Sequence, residues 1–197
     1  MDRYDSKSTV PFYSQIVNWN GEDSGFPNSQ EIENWQNNCC GVACLRMVLS
    51  YAKGIDANEI ASYWDLIQLG LELNAYGDRG WIHRGLLEMA ETFGLNGTCH
   101  RSESVEQLMS KISHGYTCIV SVTKGFLGGQ PDENTGKPYP TGGHLVVAFD
   151  VETQANKGVG IVCNHPSSYP AWNRQAWTVE LEKWYASFSG NYIAFRT

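Results

Sequence analysis

The sequence predicts an α+β fold, with a helical first half packed on a mostly antiparallel sheet formed by the second half. Three observations carry that expectation. Apolar residues recur at helical spacing, with capping residues between them, from Cys40 to about Gly115. Short β-branched runs take over from Tyr116. Helices followed by strands, in a chain of 197 residues, suit one α+β domain spanning residues 1–197 with a sizeable core.

Residues 17 to 38 are polar and rich in Asn, Gly, Ser and Glu, which reads as a long loop. Long loops inside compact domains are often functional. From Cys40 to Lys53, Ala43, Met47, Val48 and Tyr51 mark one helical face, and Gly54 stops it. Asp56 and Glu59 form a capping-box pattern ahead of Ile60, Trp64 and Ile67. A third helix is predicted from Trp81 to Phe93, ending at Gly94, and a fourth from Ser104, paired with Gln107, to Gly115. Strands are predicted at Tyr116–Val122, His144–Val151, Val159–Cys163 and Asn191–Phe195. The stretch from Lys124 to Gly143 is rich in glycine and proline and reads as surface loop; Val179 to Phe188 has a helical pattern.

Composition removes several classes of function. Apolar residues make up 42% and charged residues 18%, a globular balance. The net charge of -7 disfavours nucleic acid as a partner, since a phosphate backbone gains nothing from an acidic chain. No stretch approaches the ~18 consecutive apolar residues of a membrane span. Met1 to Lys7 has no apolar core of a signal peptide, so a cytoplasmic location is the default expectation. The six cysteines lack paired Cys-x-x-Cys spacings, so no metal site is expected. Cys44, Cys118 and Cys163 sit in apolar runs and read as small core residues.

The remaining cysteines include one with a chemical signature. Cys40 stands in Asn37-Asn38-Cys39-Cys40-Gly41, at the first turn of a predicted helix, where the helix dipole favours thiolate. Gly41 would let a substrate backbone approach. His144 follows Gly142-Gly143 and opens a buried strand, so its ring is expected at the strand's end, held by the sheet yet reachable. Asn164 ends another strand in Cys163-Asn164-His165-Pro166, and an amide can hold an imidazole in the tautomer a base requires.

These segments resemble papain-fold cysteine peptidases related to the double-glycine, bacteriocin-processing peptidases. The resemblance rests on Val10-Pro11-Phe12-Tyr13-Ser14-Gln15, Cys40-Gly41-Val42-Ala43-Cys44-Leu45-Arg46-Met47, Gly143-His144-Leu145-Val146-Val147 and Asn164-His165-Pro166-Ser167, in that order, with Gly80-Trp81-Ile82-His83 between. It implies a free-standing papain-like peptidase domain, since the chain has no nucleotide-binding loop of a transporter. It also implies Cys40 as nucleophile, His144 as base and an oxyanion-hole glutamine. Gln15 fits the family pattern, with Gln36 as its rival. Many relatives have Asp directly before the proline. Here that position is His165, so Asn164 is expected to orient His144 and His165 is the alternative. The expected reaction is hydrolysis of peptide bonds through a Cys-His-Asn triad and a thioester acyl-enzyme, with no cofactor and a peptide or protein substrate. A thiol amidase, a transpeptidase and an inactive peptide-binding relative are the alternatives. Trp19, Trp35 and Trp172 are candidate groove residues.

Overall fold

The computed structural model describes residues 9–16, 24–154 and 158–197. The readings made for Met1 to Lys7 and for Trp19 fall outside them. Within the polar stretch predicted as a loop lies a short helix, α1 (Ser29–Trp35), because Asn28 accepts a hydrogen bond from the Glu31 N–H and caps it. It has no buried residue, so no apolar stripe announced it. The next helix, α2 (Cys40–Lys53), ends at Gly54 in the left-handed conformation, as its sequence predicts. It is the central helix of the fold: every residue from Gly41 to Ser50 is buried.

The predicted capping box at Asp56 and Glu59 resolves differently. Asp56 caps only a 3-10 turn, Ala57–Glu59. The helix itself, α3 (Tyr63–Glu72), starts from a second box made by Ser62 and Asp65. A two-stranded hairpin, β1 (Tyr76–Gly77) with β2 (Gly80–Trp81), leads into α4 (His83–Thr92), so the predicted third helix starts later and Trp81 belongs to a strand. Strand β3 (Gly97–His100) precedes α5 (Val105–Ser113), whose Ser104–Gln107 capping box matches the sequence reading.

The second half is sheet. Strands β4 (Tyr116–Val122), β5 (His144–Gln154), β6 (Gly158–His165), β7 (Arg174–Glu180) and β8 (Phe188–Arg196) join β3 in one antiparallel sheet of order β3-β8-β4-β5-β6-β7. The helical pattern from Val179 is realised as a shorter helix, α6 (Leu181–Ser187), after the end of β7. Both faces of the sheet are covered, and alternation along each strand sorts its residues between two cores. Ile119, Leu145, Val147, Ile193 and Phe195 pack with α2, α3 and α4. Cys118, Val120, Val146, Ala148, Ile161, Cys163, Tyr192 and Ala194 pack with Leu108 and Ile112 of α5 and Trp184 of α6.

The segment from Val10 to Gln15 is tied down by polar contacts. Asn164 Nδ2 donates to the carbonyls of Val10 and Pro11, both at 3.0 Å, and Tyr63 donates to the Ser14 carbonyl. The Tyr13 hydroxyl accepts from the Ala57 N–H. Buried Arg46 lies under the rings of Tyr13 and Tyr63 and donates to Asn58 and the Ala61 carbonyl. No helix among the described residues is long and apolar enough to cross a membrane.

Candidate active site

Cys40 is the first residue of α2, after an N-cap, Cys39, whose side chain makes no capping bond. Its sulfur is ringed by backbone N–H donors: its own, that of Gly41 and that of Leu145 at the start of β5. These donors favour thiolate, as does the helix start. Burial opposes them and wins, so the thiol is pushed up to about 11. The helix start and a neighbouring His144 predict a lowered value from sequence; burial reverses it. The other five cysteines are also free thiols. Burial raises Cys39, Cys44, Cys118 and Cys163 too, and Cys99, which is half-buried, to a lesser degree of enclosure.

His144 is the first residue of β5, reached through two glycines in succession at φ +85° and +89°, a conformation that other residues rarely adopt. Cys40 and His144 line one cavity of about 110 Å³, together with Asn37, Arg79, Trp81 and His83. The His144 ring hydrogen-bonds the backbone of Pro166. Proline has no N–H, so its carbonyl accepts. Nε2 is buried and has no partner, so Nδ1 makes that bond and Nε2 is left as the bare acceptor of the neutral ring. Burial first, then His165 and the Lys124 charge, hold His144 well below its ordinary value. The resting site is therefore a neutral thiol and a neutral imidazole, with no hydrogen bond between them.

The neighbouring residues of β6 point to opposite faces. Asn164 is cross-strand partner to Val147 and shares its face. It is fully buried, donates to Val10 and Pro11 and accepts from the Ala176 N–H at 2.8 Å. None of these bonds reaches His144, so the expected contact between the amide and the imidazole is not made. The residue beside His144 is His165, with ring centroids 4.6 Å apart and planes tilted by 43°. The His165 ring has no side-chain hydrogen bond; the Trp172 carbonyl faces it, and it stands among Phe126 and Trp177. Burial lowers it to about 4.

Gln15 is buried, and its Nε2 donates to the Gln36 carbonyl at 3.1 Å. The two glutamines weighed in the sequence thus meet, four residues ahead of Cys40. Gly41 serves a different neighbour from the one expected. A Cβ on it would fall 2.4 Å from Cγ of Trp81, and one on Gly70 2.5 Å from the far edge of the same indole. Trp81 is wedged between α2 and α3, and its Nε1 donates to the Asn38 carbonyl at 2.6 Å. Trp35 packs on this ring and on Tyr76, so it supports the cavity wall. Trp172 covers Gly125 instead. Arg79, His83 and the Pro166 carbonyl were not assigned from sequence. The Gly80-Trp81-Ile82-His83 motif marked the region without a role, and a backbone carbonyl leaves no residue-type signal.

Among the described residues, no group of three or more His, Cys, Asp and Glu side chains could hold a metal ion. No curated protein matches the chain. Solved structures share its fold at low identity. A C39-like peptidase of Bacillus anthracis, described as putative in its own name, is 17% identical with a TM-score of 0.56, over 95% of this chain and 94% of that one. The peptidase domain of Streptococcus ComA, a bi-functional ABC transporter, is 17% identical with a TM-score of 0.53, over 81% and 93%. A double glycine motif protease from an AMS/PCAT transporter, in complex with the leader peptide, is 21% identical with a TM-score of 0.50, over 80% and 84%. A model of the Peptidase_C39 like family matches residues 7–196, and the chain belongs to that family.

Proposed function

We propose that the chain is an active cysteine peptidase, with Cys40 as nucleophile and His144 as its base. The observation that carries this reading is the unpartnered, buried Nε2 of His144 in the cavity that Cys40 lines. A buried polar atom without a protein partner is costly unless it has work to do. The Pro166 carbonyl, acting through Nδ1, holds the tautomer that leaves Nε2 free to accept the thiol proton. Because both groups rest neutral, the proton passes to Nε2 as sulfur attacks the peptide carbonyl. His144 then returns it to the leaving amine, and water hydrolyses the thioester.

The Cys40 N–H and the second amide proton of Gln15 are the proposed oxyanion donors. Asn164 is a positioning residue in this scheme: it fastens the Val10–Pro11 backbone from which Gln15 follows. A peptide substrate is in keeping with the leader peptide held by the transporter protease of the same fold. The raised Cys40 thiol is the observation that favours the binding-only alternative, because an inert thiol would still leave a groove.

The two readings separate in a cleavage assay on a mixed peptide pool with thiol mapping. Peptides are cleaved; Cys40→Ala abolishes turnover, His144→Ala lowers it about 1,000-fold or more, and Gln15→Ala about 100-fold. Alkylation of Cys40 is slow at neutral pH and rises toward about 11. No cleavage by the wild-type chain, with Cys40 unreactive across that range, would leave the peptide-binding reading.

A further inference from the structure

The lining of the cavity has a charge pattern that the reaction itself does not explain. Its lining includes Arg79 and His83, and neither Asp nor Glu is among the lining residues. This occurs in a chain whose net charge is -7. Arg79 and Asp78 form the two-residue loop of the β1–β2 hairpin, where Gly77 pairs with Gly80. Arg79 is exposed, and no ion pair joins it to any described residue. Asp78, its neighbour in the turn, does not line the cavity.

His83 is the first residue of α4 and half-buried, and its Nε2 is buried without a hydrogen-bond partner. Burial and the charge of Arg101 hold it below the ordinary imidazole value, so it is neutral at pH 7 and able to donate an N–H. A guanidinium, with an imidazole whose unpartnered Nε2 can carry the ring proton, suits an acceptor-only group of negative charge. A carboxylate fits both, since Arg binds it through two parallel bonds.

We propose that Arg79 and His83 form a carboxylate subsite beside Cys40. The preferred peptide then carries an acidic side chain, or its own terminal carboxylate, next to the bond that sulfur attacks. The proposal rests on the reading of Cys40 as nucleophile and extends it to the substrate. A cavity of about 110 Å³ has room for such a group and little more, so the carboxylate belongs to a residue adjoining the scissile bond.

Two alkylating agents that differ only in charge test the subsite without any need for peptidase activity. Iodoacetate carries a carboxylate close to the atom that sulfur attacks, and iodoacetamide carries a neutral amide there. At about pH 9 the ratio of their rates at Cys40 is expected to exceed the ratio for glutathione about tenfold. Arg79→Gln removes most of that excess, Arg79→Lys keeps part of it, and His83→Asn reduces it less than Arg79→Gln. A ratio equal to that of glutathione, or an excess that survives Arg79→Gln, overturns the subsite.

A peptide pool read by mass spectrometry supplies the second arm. Cleavage sites enriched about tenfold in adjoining Asp or Glu assign the carboxylate to a side chain. Cleavage confined to the last bonds of free-acid peptides, and lost on their amidation, assigns it to the chain terminus. Cleavage with neither bias overturns the proposal. A charge-selective Cys40 that cleaves no peptide supports the subsite and sinks the peptidase reading alone.

Discussion

The two faces of the sheet treat the end of β6 in opposite ways. On the face toward α2, Asn164 is fully buried and bonded to two carbonyls and an amide N–H. On the other face, one residue along, His165 is equally buried and has no side-chain hydrogen bond, with the Trp172 carbonyl beside its ring. Satisfied burial is what a fold needs from a polar residue; unsatisfied burial is a cost that structure alone does not explain. His144 and His83, each with an unpartnered Nε2, line the cavity, and the His165 ring packs beside His144. Asn164 is therefore bonded into the scaffold and His165 packs beside His144, although they are neighbours in sequence.

The largest expected effect tests the scaffold half of that contrast. Asn164→Ala leaves the Val10 and Pro11 carbonyls and the Ala176 N–H without partners in a dry interior. At 1–3 kcal/mol for each orphaned group, partly relieved by relaxation, the loss of stability is expected at about 3–5 kcal/mol. Denaturant unfolding measures it. A variant as stable as the wild type would place Asn164 outside the scaffold and reopen its assignment.

Strand alternation explains why this contrast was only half legible in the sequence. Cys40 and His144, which the fold brings to one cavity, stood out through local context, a helix start and a strand opened by two glycines. Choosing between Asn164 and His165 needs the register of β5 against β6. The pairing of Val147 with Asn164 sets it, and a bulge between Ala148 and Asp150 breaks the count from the turn. No local pattern encodes that bulge. The same limit hid β7, whose Arg174–Ala176 end is exposed and lacks an apolar alternation. The Ser104–Gln107 box and the Gly54 stop were legible because caps are made by residues within a few positions of each other. The raised Cys40 thiol was not, because burial comes from the whole fold.

A smaller effect tests the buried imidazole. Folding lowers His165 from 6.5 to about 4, so the unfolded chain binds a proton that the folded chain refuses. Above pH 6.5 both states are neutral and this group contributes no pH dependence. As pH falls from 6.5 toward 4, it removes up to about 3 kcal/mol of stability. His165→Phe keeps an aromatic ring beside Phe126 and Trp177 and has nothing to protonate. Its stability is expected to fall less than that of the wild type between pH 6.5 and 4, with the two curves parallel above 6.5. Parallel curves throughout would mean that the ring is protonated or hydrated in the folded chain.

The smallest effect distinguishes the two neighbours by their reach to the base. His144 must be neutral to accept the thiol proton, so the acid limb of kcat/KM reports its protonation. Burial, His165 and Lys124 lower His144, while the Pro166 carbonyl raises it. The acid limb is therefore expected below pH 6.5. The groups acting on the ring include no carboxylate. His165→Asp puts a negative charge beside the ring, favours the imidazolium and moves the acid limb upward by about one pH unit. Asn164→Ala, assayed below its own melting temperature, leaves the limb in place, because its side chain bonds to the opposite face. A limb that shifts with Asn164→Ala and stays put with His165→Asp would exchange the two roles and return Asn164 to the triad.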